Sequence, residues 1–468
     1  MKKGLNKTAT VLGGGVAGIS AACALADAGI RVRLVERRSY LGGRASSYLH
    51  PGVGEVIDNC QHILFRCCTN LIALYERIGV LEKIHWTRDM TMIEPGGRRS
   101  VLGPSWLPAP LHGLPKLLSA NAFTRADKLA LAKAIGKLMR LVPQHPPESL
   151  ESWLKRNGQT PGAIERFWRL VIASALNADL EAISVSDAAH VVHEIFLKSA
   201  QAGHMGMSTV PLSDLYGAAD QYLRSHGCSI HYNSNVESLS WDEEASQWSL
   251  NARDGLLSSD FLVLALPFEA TAKLLPHMPP AVDANALAQR LNHRQHWPIC
   301  SVHLWFDREI TDLDHAVLLD REIHWMYNKG RIQLWRKLRG SYLELVVSAS
   351  RSFADLNRNE AIARALRELA EFFPAMATAK LEKAALIKEM RATSCAPPGV
   401  AADSGPVSPW PNCVLAGDWT ATGWASTMES AARSGHLAAE ALCAAIDAPQ
   451  SFFVPDLKPT GLMRWIGN

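Results

Sequence analysis

From Thr10 onward the apolar positions change period twice within 35 residues. Residues 10–12 form a short apolar run, three glycines interrupt it, an Ala-rich stretch keeps helical spacing as far as Gly29, and residues 31–35 alternate as a strand. Inside this predicted strand, turn, helix and strand, Gly13, Gly15 and Gly18 stand at G-x-G-x-x-G spacing. The first permits a tight turn, the second lets backbone approach a pyrophosphate, and the third lets the helix pack on the strand. Val16 and Ala17 open the helix, whose free N–H groups favour an anion. Glu36 ends the second strand 18 residues past Gly18, where a carboxylate accepts hydrogen bonds from a ribose and repels a 2′-phosphate. Arg37 follows it. The pattern predicts a dinucleotide site that excludes NADP.

Farther along, residues 65–80 carry Leu71, Leu74 and Ile78 on one helical face. Residues 114–141 also keep helical spacing, with Lys116, Lys128, Lys133 and Lys137; they read either as an ordinary amphipathic core helix or as a lip lying on a membrane. A proline cluster at 143–147 separates this from a helical stretch at 149–198, anchored by Trp153, Phe167 and Trp168. His190 and His193 share a face there, but no third ligand accompanies them, so no metal site is expected. Residues 212–225 predict a helix, 229–232 and 236–241 strands, and 261–266 a buried strand that Pro267 ends. Strands at 298–307 and 342–350, with Leu318 and 325–327 between them, predict an antiparallel sheet, and 360–373 a charged helix stopped by Pro374. A last strand delivers Gly417 and Asp418, and Thr427 and Met428 open a helix in which Ala431, Ala432 and Gly435 allow close packing.

Composition narrows the class. In 468 residues, 48% hydrophobic against 20% charged suits two or three domains with large cores, and a net charge of +3 without a basic run gives no reason to expect nucleic acid. Nine cysteines contain no C-x-x-C pair, which fits a reduced, cytoplasmic setting better than zinc or a disulfide framework; Cys67 and Cys68 read as packing residues. Lys2, Lys3 and Lys7 before an apolar run resemble a secretory leader, but the glycines break that run and cleavage would destroy the nucleotide turn. No stretch of about 18 apolar residues predicts a transmembrane span.

Two further motifs carry a family resemblance. Leu41-Gly42-Gly43-Arg44, directly after the ribose acid, resembles the G-G-R turn of the amine oxidase and phytoene desaturase flavoproteins. The segment Asp58-Asn59-Cys60-Gln61-His62, followed by Cys67-Cys68-Thr69-Asn70, is similar to the squalene-associated FAD-dependent desaturases now regarded as hydroxysqualene dehydroxylases. The resemblance implies an α/β fold: a Rossmann-like FAD-binding domain (1–84, 205–292, 393–450), an inserted α+β substrate domain (85–204, 293–392), and a tail at 451–468. It implies non-covalent FAD, with Gly43 and Arg44 at the diphosphate, Gln61 beside the flavin ring, Val236 at adenine, Ala265 near the flavin, Asp418 on the ribityl chain, and the helix after Thr427 and Met428 facing the ring. Asp58 and His62 would lie at the ring, His62 as the acid and Asp58 either catalytic or merely holding the loop.

By this likeness the reaction is reductive dehydroxylation of hydroxysqualene, a long triterpene, to squalene for hopanoid or sterol synthesis. The alternatives are a carotenoid desaturase or amine oxidase running hydride the other way, and a non-enzymatic prenyl-lipid carrier, against which the retained Gly417-Asp418 speaks. Without a second G-x-G-x-x-G unit, electrons would come from an external donor or reductase. Peripheral contact with the inner membrane face is expected through residues 106–118 and 457–466, should the lip reading hold.

Overall fold

Thr8–Leu12 runs along the middle of a five-stranded sheet ordered Ser229–His231, Arg31–Val35, Thr8–Leu12, Phe261–Leu264, Cys413–Leu415, every pair parallel. The computed structural model describes residues 7–140, 148–253, 255–336, 339–400 and 405–466; Lys2, Lys3 and the proline cluster at 143–147 lie outside these. Parallel strands are covered on both faces, which is why Val11, Val32, Leu34, Leu262 and Val263 are all fully buried. The helix Val16–Asp27 covers one face and is crossed by Met428–Ala445. At that crossing a Cβ on Gly435 would lie 2.3 Å from the Ala17 carbonyl oxygen, so only glycine permits the approach.

The predicted strand beginning at Val236 forms as Val236–Asp242, but in a separate three-stranded antiparallel sheet with Gln247–Ala252 and Gly255–Ser259. A seven-stranded sheet holds Gln295–Phe306 between Leu381–Cys395 and Tyr342–Ser348, then Trp325–Asn328, His315–Leu318, Met90–Ile93 and Arg99–Leu102. Its longest pairing, with Leu381–Cys395, has no counterpart among the predicted strands. Lys383, Lys388, Glu389 and Arg391 interrupt the apolar alternation there, as they can on an edge strand whose outer side meets water.

Two predicted helices are broken. Residues 114–141 divide into Leu114–Ser119 and Arg125–Leu138, because Thr124 and Asp127 form a capping box that starts the second helix afresh. In 149–198, Leu150–Arg156 ends before Gly158, Thr160 caps a new start at Pro161, Asn177 takes a left-handed conformation (φ 45°), and Ser184 caps Val185–Val191. By contrast, Arg358–Phe372 starts at an Asn357–Glu360 capping box and stops at Pro374 as the pattern predicts. The expected division at residue 85 falls inside the strand Ile84–Thr87, which pairs with Met205–Ser208, itself paired with Ile63–Phe65.

Candidate active site

Each of the three fingerprint glycines has its own physical reason. Gly13 lies at φ +104°, and a Cβ there would meet the Ala265 carbonyl oxygen at 2.4 Å; on Gly18 it would lie 1.8 Å from the Gly13 carbonyl oxygen. Around Gly15 the space is open, the nearest atom to such a Cβ being the Gly43 Cα at 3.9 Å. That opening faces the start of Val16–Asp27, where Gly15 supplies no capping side chain and Ile19 N–H is the first to reach back, to the Gly15 carbonyl at 2.9 Å. The amides of Val16, Ala17 and Gly18 are thus left for an anion.

The second glycine turn belongs to the same cradle. Gly42 N–H donates to the Gly14 carbonyl at 2.8 Å. Glu36 is buried and its carboxylate accepts from Gly14 N–H at 2.7 Å and Arg38 N–H at 2.8 Å, holding the first turn against the second strand's end. Arg38 also donates to the Gly43 carbonyl at 2.7 Å. Arg37, expected beside the cofactor, is solvent-exposed and makes no hydrogen bond among the described residues, while its neighbour Arg38 bonds Glu36 and the second glycine turn. Glu36 turns inward just past the end of the strand Arg31–Val35, and the next side chain turns out.

Arg44 and Asp418, assigned separately to phosphate and ribityl, face each other. Arg44 Nη2 donates to Asp418 Oδ1 at 2.6 Å and Nη1 to the Ala392 carbonyl at 3.0 Å, while Ser426 Oγ donates to Asp418 Oδ2. Burial alone would raise the Asp418 carboxyl, but Arg44 and Ser426 outweigh it and hold the group below the usual carboxylate range. Gly417 N–H donates to Ser434 Oγ at 2.9 Å, fixing the strand end to the last helix. Thr427 Oγ1 caps that helix by accepting from Ser430 N–H at 3.3 Å, so its hydroxyl is engaged and the helix start offers the backbone amides of Met428 and Glu429. Val236 begins its strand two residues after Ser234, whose N–H donates to the Glu36 carbonyl at 3.0 Å. This keeps Val236 near the ribose acid although it lies outside the parallel sheet.

Beyond the cradle is a buried polar cluster that the sequence reading missed in part. Lys329, 1% exposed, donates to Asp58 Oδ2 at 2.5 Å and Gln61 Oε1 at 2.7 Å, and lies 3.5 Å from Glu344 Oε2. Ser47 Oγ donates to Asp58 Oδ1 at 2.5 Å, and Ser301 Oγ to Glu344 Oε1 at 2.7 Å. Burial pushes the Asp58 carboxyl up, but the Lys329 ammonium with Ser47 and Leu212 N–H outweighs this and keeps it ionised. For Glu344 burial prevails over the same ammonium and raises its carboxyl. Nothing near Lys329 in sequence marks it, because lysine ordinarily signals surface.

His62 does not have the electrostatics of a standing acid. Burial lowers its imidazole, and Nδ1 lies 2.7 Å from the Cys60 carbonyl, a contact that requires Nδ1–H to donate. The neutral ring then presents Nε2 as an acceptor, and that atom has no hydrogen-bond partner among the described residues. Asp58, ionised and bonded on both oxygens, holds the loop and is no proton donor. His190 instead meets Trp424 edge-on at 4.9 Å and His193 bonds the Leu138 carbonyl at 3.1 Å. No group of three potential metal ligands occurs among the described residues.

Comparison with known proteins agrees with this geometry. The family profile described as flavin containing amine oxidoreductase matches residues 16–443. A 15-cis-phytoene desaturase of Synechococcus elongatus is 26% identical over 463 residues, covering 94% of this chain and 96% of the relative. A zeta-carotene desaturase of Synechocystis sp. is 25% identical over 489 residues, covering 93% and 96%. Among solved structures, cyclohexylamine oxidase from Brevibacterium oxydans shares the fold at TM-score 0.66 and 19% identity, covering 94% of this chain and 100% of that one. With the open cradle at Gly15, the uncapped helix start and the acid at Glu36, the chain belongs to the flavin-containing amine oxidoreductase family and its cofactor is FAD.

Proposed function

We propose that this flavin oxidoreductase acts on a long isoprenoid and that its reaction is the reductive dehydroxylation of hydroxysqualene to squalene. The observation that carries the reading is the unpartnered Nε2 of a neutral His62 at the margin of an apolar wall. Ile63 and Phe65, which follow it, pack against an apolar cluster that includes Trp297, Trp325, Tyr327 and Met207, with Trp325 and Tyr327 stacked at 5.8 Å. Such a wall accepts a polyprenyl chain, and aromatic faces favour a developing allylic cation. A substrate that is hydrocarbon throughout gives Nε2 no partner, whereas one carrying a single hydroxyl does. The D-N-x-Q-H segment at Asp58 to His62 adds the family resemblance.

Bound FAD would supply the hydride chemistry, and replacing the hydroxyl by hydrogen with release of water consumes one hydride and one proton. The protein's part is to hold the hydroxyl at His62 Nε2 and keep water out. The buried cation of the adjoining cluster is Lys329, and Gln61, partly open and accepting from it, lies next to His62 in the chain. Arg44, Asp418, Glu36 and the two glycine turns hold the cofactor. The deciding experiment is anaerobic: dithionite-reduced enzyme is mixed with hydroxysqualene, and flavin reoxidation is followed together with squalene by mass spectrometry. Failure of both abandons the reading.

A second reading, desaturation of a carotenoid-type polyene, is favoured by the full-length likeness to the two desaturases and by the same neutral imidazole, which can accept a proton. Oxidised enzyme incubated with phytoene would then gain product double bonds and bleach its flavin.

A further inference from the structure

Two segments at opposite ends of the sequence are joined at the surface. Leu462 N–H donates to the Ala109 carbonyl at 2.8 Å, Thr460 N–H to the Lys198 carbonyl at 2.9 Å, and Met463 is buried in the same cluster as Ala109. A Cβ on Gly461 would lie 2.8 Å from the Ala109 backbone, so the tail sits directly on the Pro108–Ala109 loop. This junction brings the exposed apolar side chains that flank it in the two segments to one region of the surface. Trp106 is 88% and Trp465 86% exposed, and Leu111, Leu114, Leu118 and Leu462 are exposed beside them in the same two segments. Isolated exposed apolar residues are ordinary, but two almost bare tryptophans flanking one loop contact are not.

The charge of these segments selects the occupant. Residues 457–466 contain Lys458 and Arg464, both exposed, and no acid. Residues 104–129 contain Lys116, Arg125 and Lys128 and one acid, Asp127, which is buried in its helix cap. Lys116 is paired with Asp89, and Lys128 bonds the Leu118 carbonyl at 2.6 Å, which leaves Arg125, Lys458 and Arg464 facing outward. A second copy docking through a two-fold axis would set this cationic rim against itself. An anionic bilayer supplies both the apolar interior that tryptophan and leucine enter and the headgroup charge that the cations meet.

We propose that the composite patch formed by Trp106 to Leu118 and Leu462 to Trp465 is the face by which this protein lies on an anionic lipid surface. It rests on exposed residues alone and stands apart from the choice of substrate. The test is cosedimentation of the FAD-loaded protein with vesicles of phosphatidylcholine alone and with added phosphatidylglycerol, beside sedimentation velocity without lipid. Wild type binds the anionic vesicles more strongly, and Trp106→Ser with Trp465→Ser lowers the partition coefficient at least about tenfold, with the flavin spectrum unchanged. Lys458→Gln with Arg464→Gln lowers binding to anionic vesicles only. Wild type remaining in the supernatant overturns the proposal, as does a tryptophan variant that binds like wild type. A lipid-free dimer that the tryptophan variant dissolves, without vesicle binding by wild type, reassigns the patch to self-association.

Discussion

Arg44 and Asp418 stand 374 residues apart in sequence and 2.6 Å apart in the fold. The contact ties the second glycine turn to the end of the last parallel strand, so the two halves of the cofactor crevice are held by one ion pair. Asp418 is buried while Arg44 keeps about a third of its side chain open. Asp418→Asn should lower stability by about 2 kcal/mol, between the small value of an exposed pair and the larger penalty of a broken buried one. It should also weaken FAD, read as flavin lost on gel filtration. A variant with wild-type melting and full flavin would remove the pair from this role.

Glu36 fastens the first turn through Gly14 N–H at 2.7 Å. Glu36→Arg puts a cation where a ribose acceptor is needed and frees that amide. The purified variant should be nearly colourless, and full FAD occupancy would count against the assignment of the ribose site.

The ion pair of Lys329 with Asp58 is fully enclosed. Lys329→Met leaves an uncompensated buried carboxylate, which costs about 3–5 kcal/mol by chemical denaturation. Adding Asp58→Asn should restore much of that loss, since the remaining group is then neutral. A double variant no more stable than Lys329→Met would show that the lysine acts through packing alone.

His62→Ala should keep FAD bound and, by losing the group that positions the hydroxyl, slow single-turnover reoxidation of the reduced flavin by hydroxysqualene about 10²-fold. Because the ring is neutral with Nε2 as acceptor, the rate should not fall as pH rises through about 6.5, as it would if an imidazolium were the acid. Loss of rate across that range would return His62 to the role of acid.

Stability should fall on mild acidification. Burial lowers His190 and His324 to about 4 and His303 and His436 to about 3. His436 is held neutral with Nε2 beside Arg77 and Nδ1 beside Asn70 Oδ1, both at 3.0 Å. Unfolded histidine takes its proton near 6.5, so between that value and about 4 the unfolded chain binds more protons and stability rises with pH. Melting temperature should therefore drop from pH 7 to pH 5, with unfolding at pH 5 taking up as many as about four protons from these groups. A flat profile would mean that these rings are protonated in the fold.

What the chain determines by itself is local and periodic. Gly13, Gly15 and Gly18 between an apolar run and an Ala-rich helix, the acid at Glu36 and the turn at Leu41 to Arg44 are near neighbours in sequence, so their spacing already contains the cradle. The strand at Phe261–Leu264 and the charged helix stopped by Pro374 are legible for the same reason. Tertiary structure decided whatever depends on distant partners. Arg44 finds Asp418, and Glu429 accepts from the amides of Asn70, 359 residues earlier, and Leu71 at 3.0 and 2.8 Å, capping a helix with no cap of its own. Lys329 is buried only because Asp58, Gln61 and Glu344 come to it from other strands and loops, and His62 loses its acid character only because burial in the surrounding protein outweighs the Cys60 carbonyl that would favour its proton. Periodicity reports which face of an element is apolar, whereas the partner of a buried charge is set by how elements cross, which no local pattern encodes.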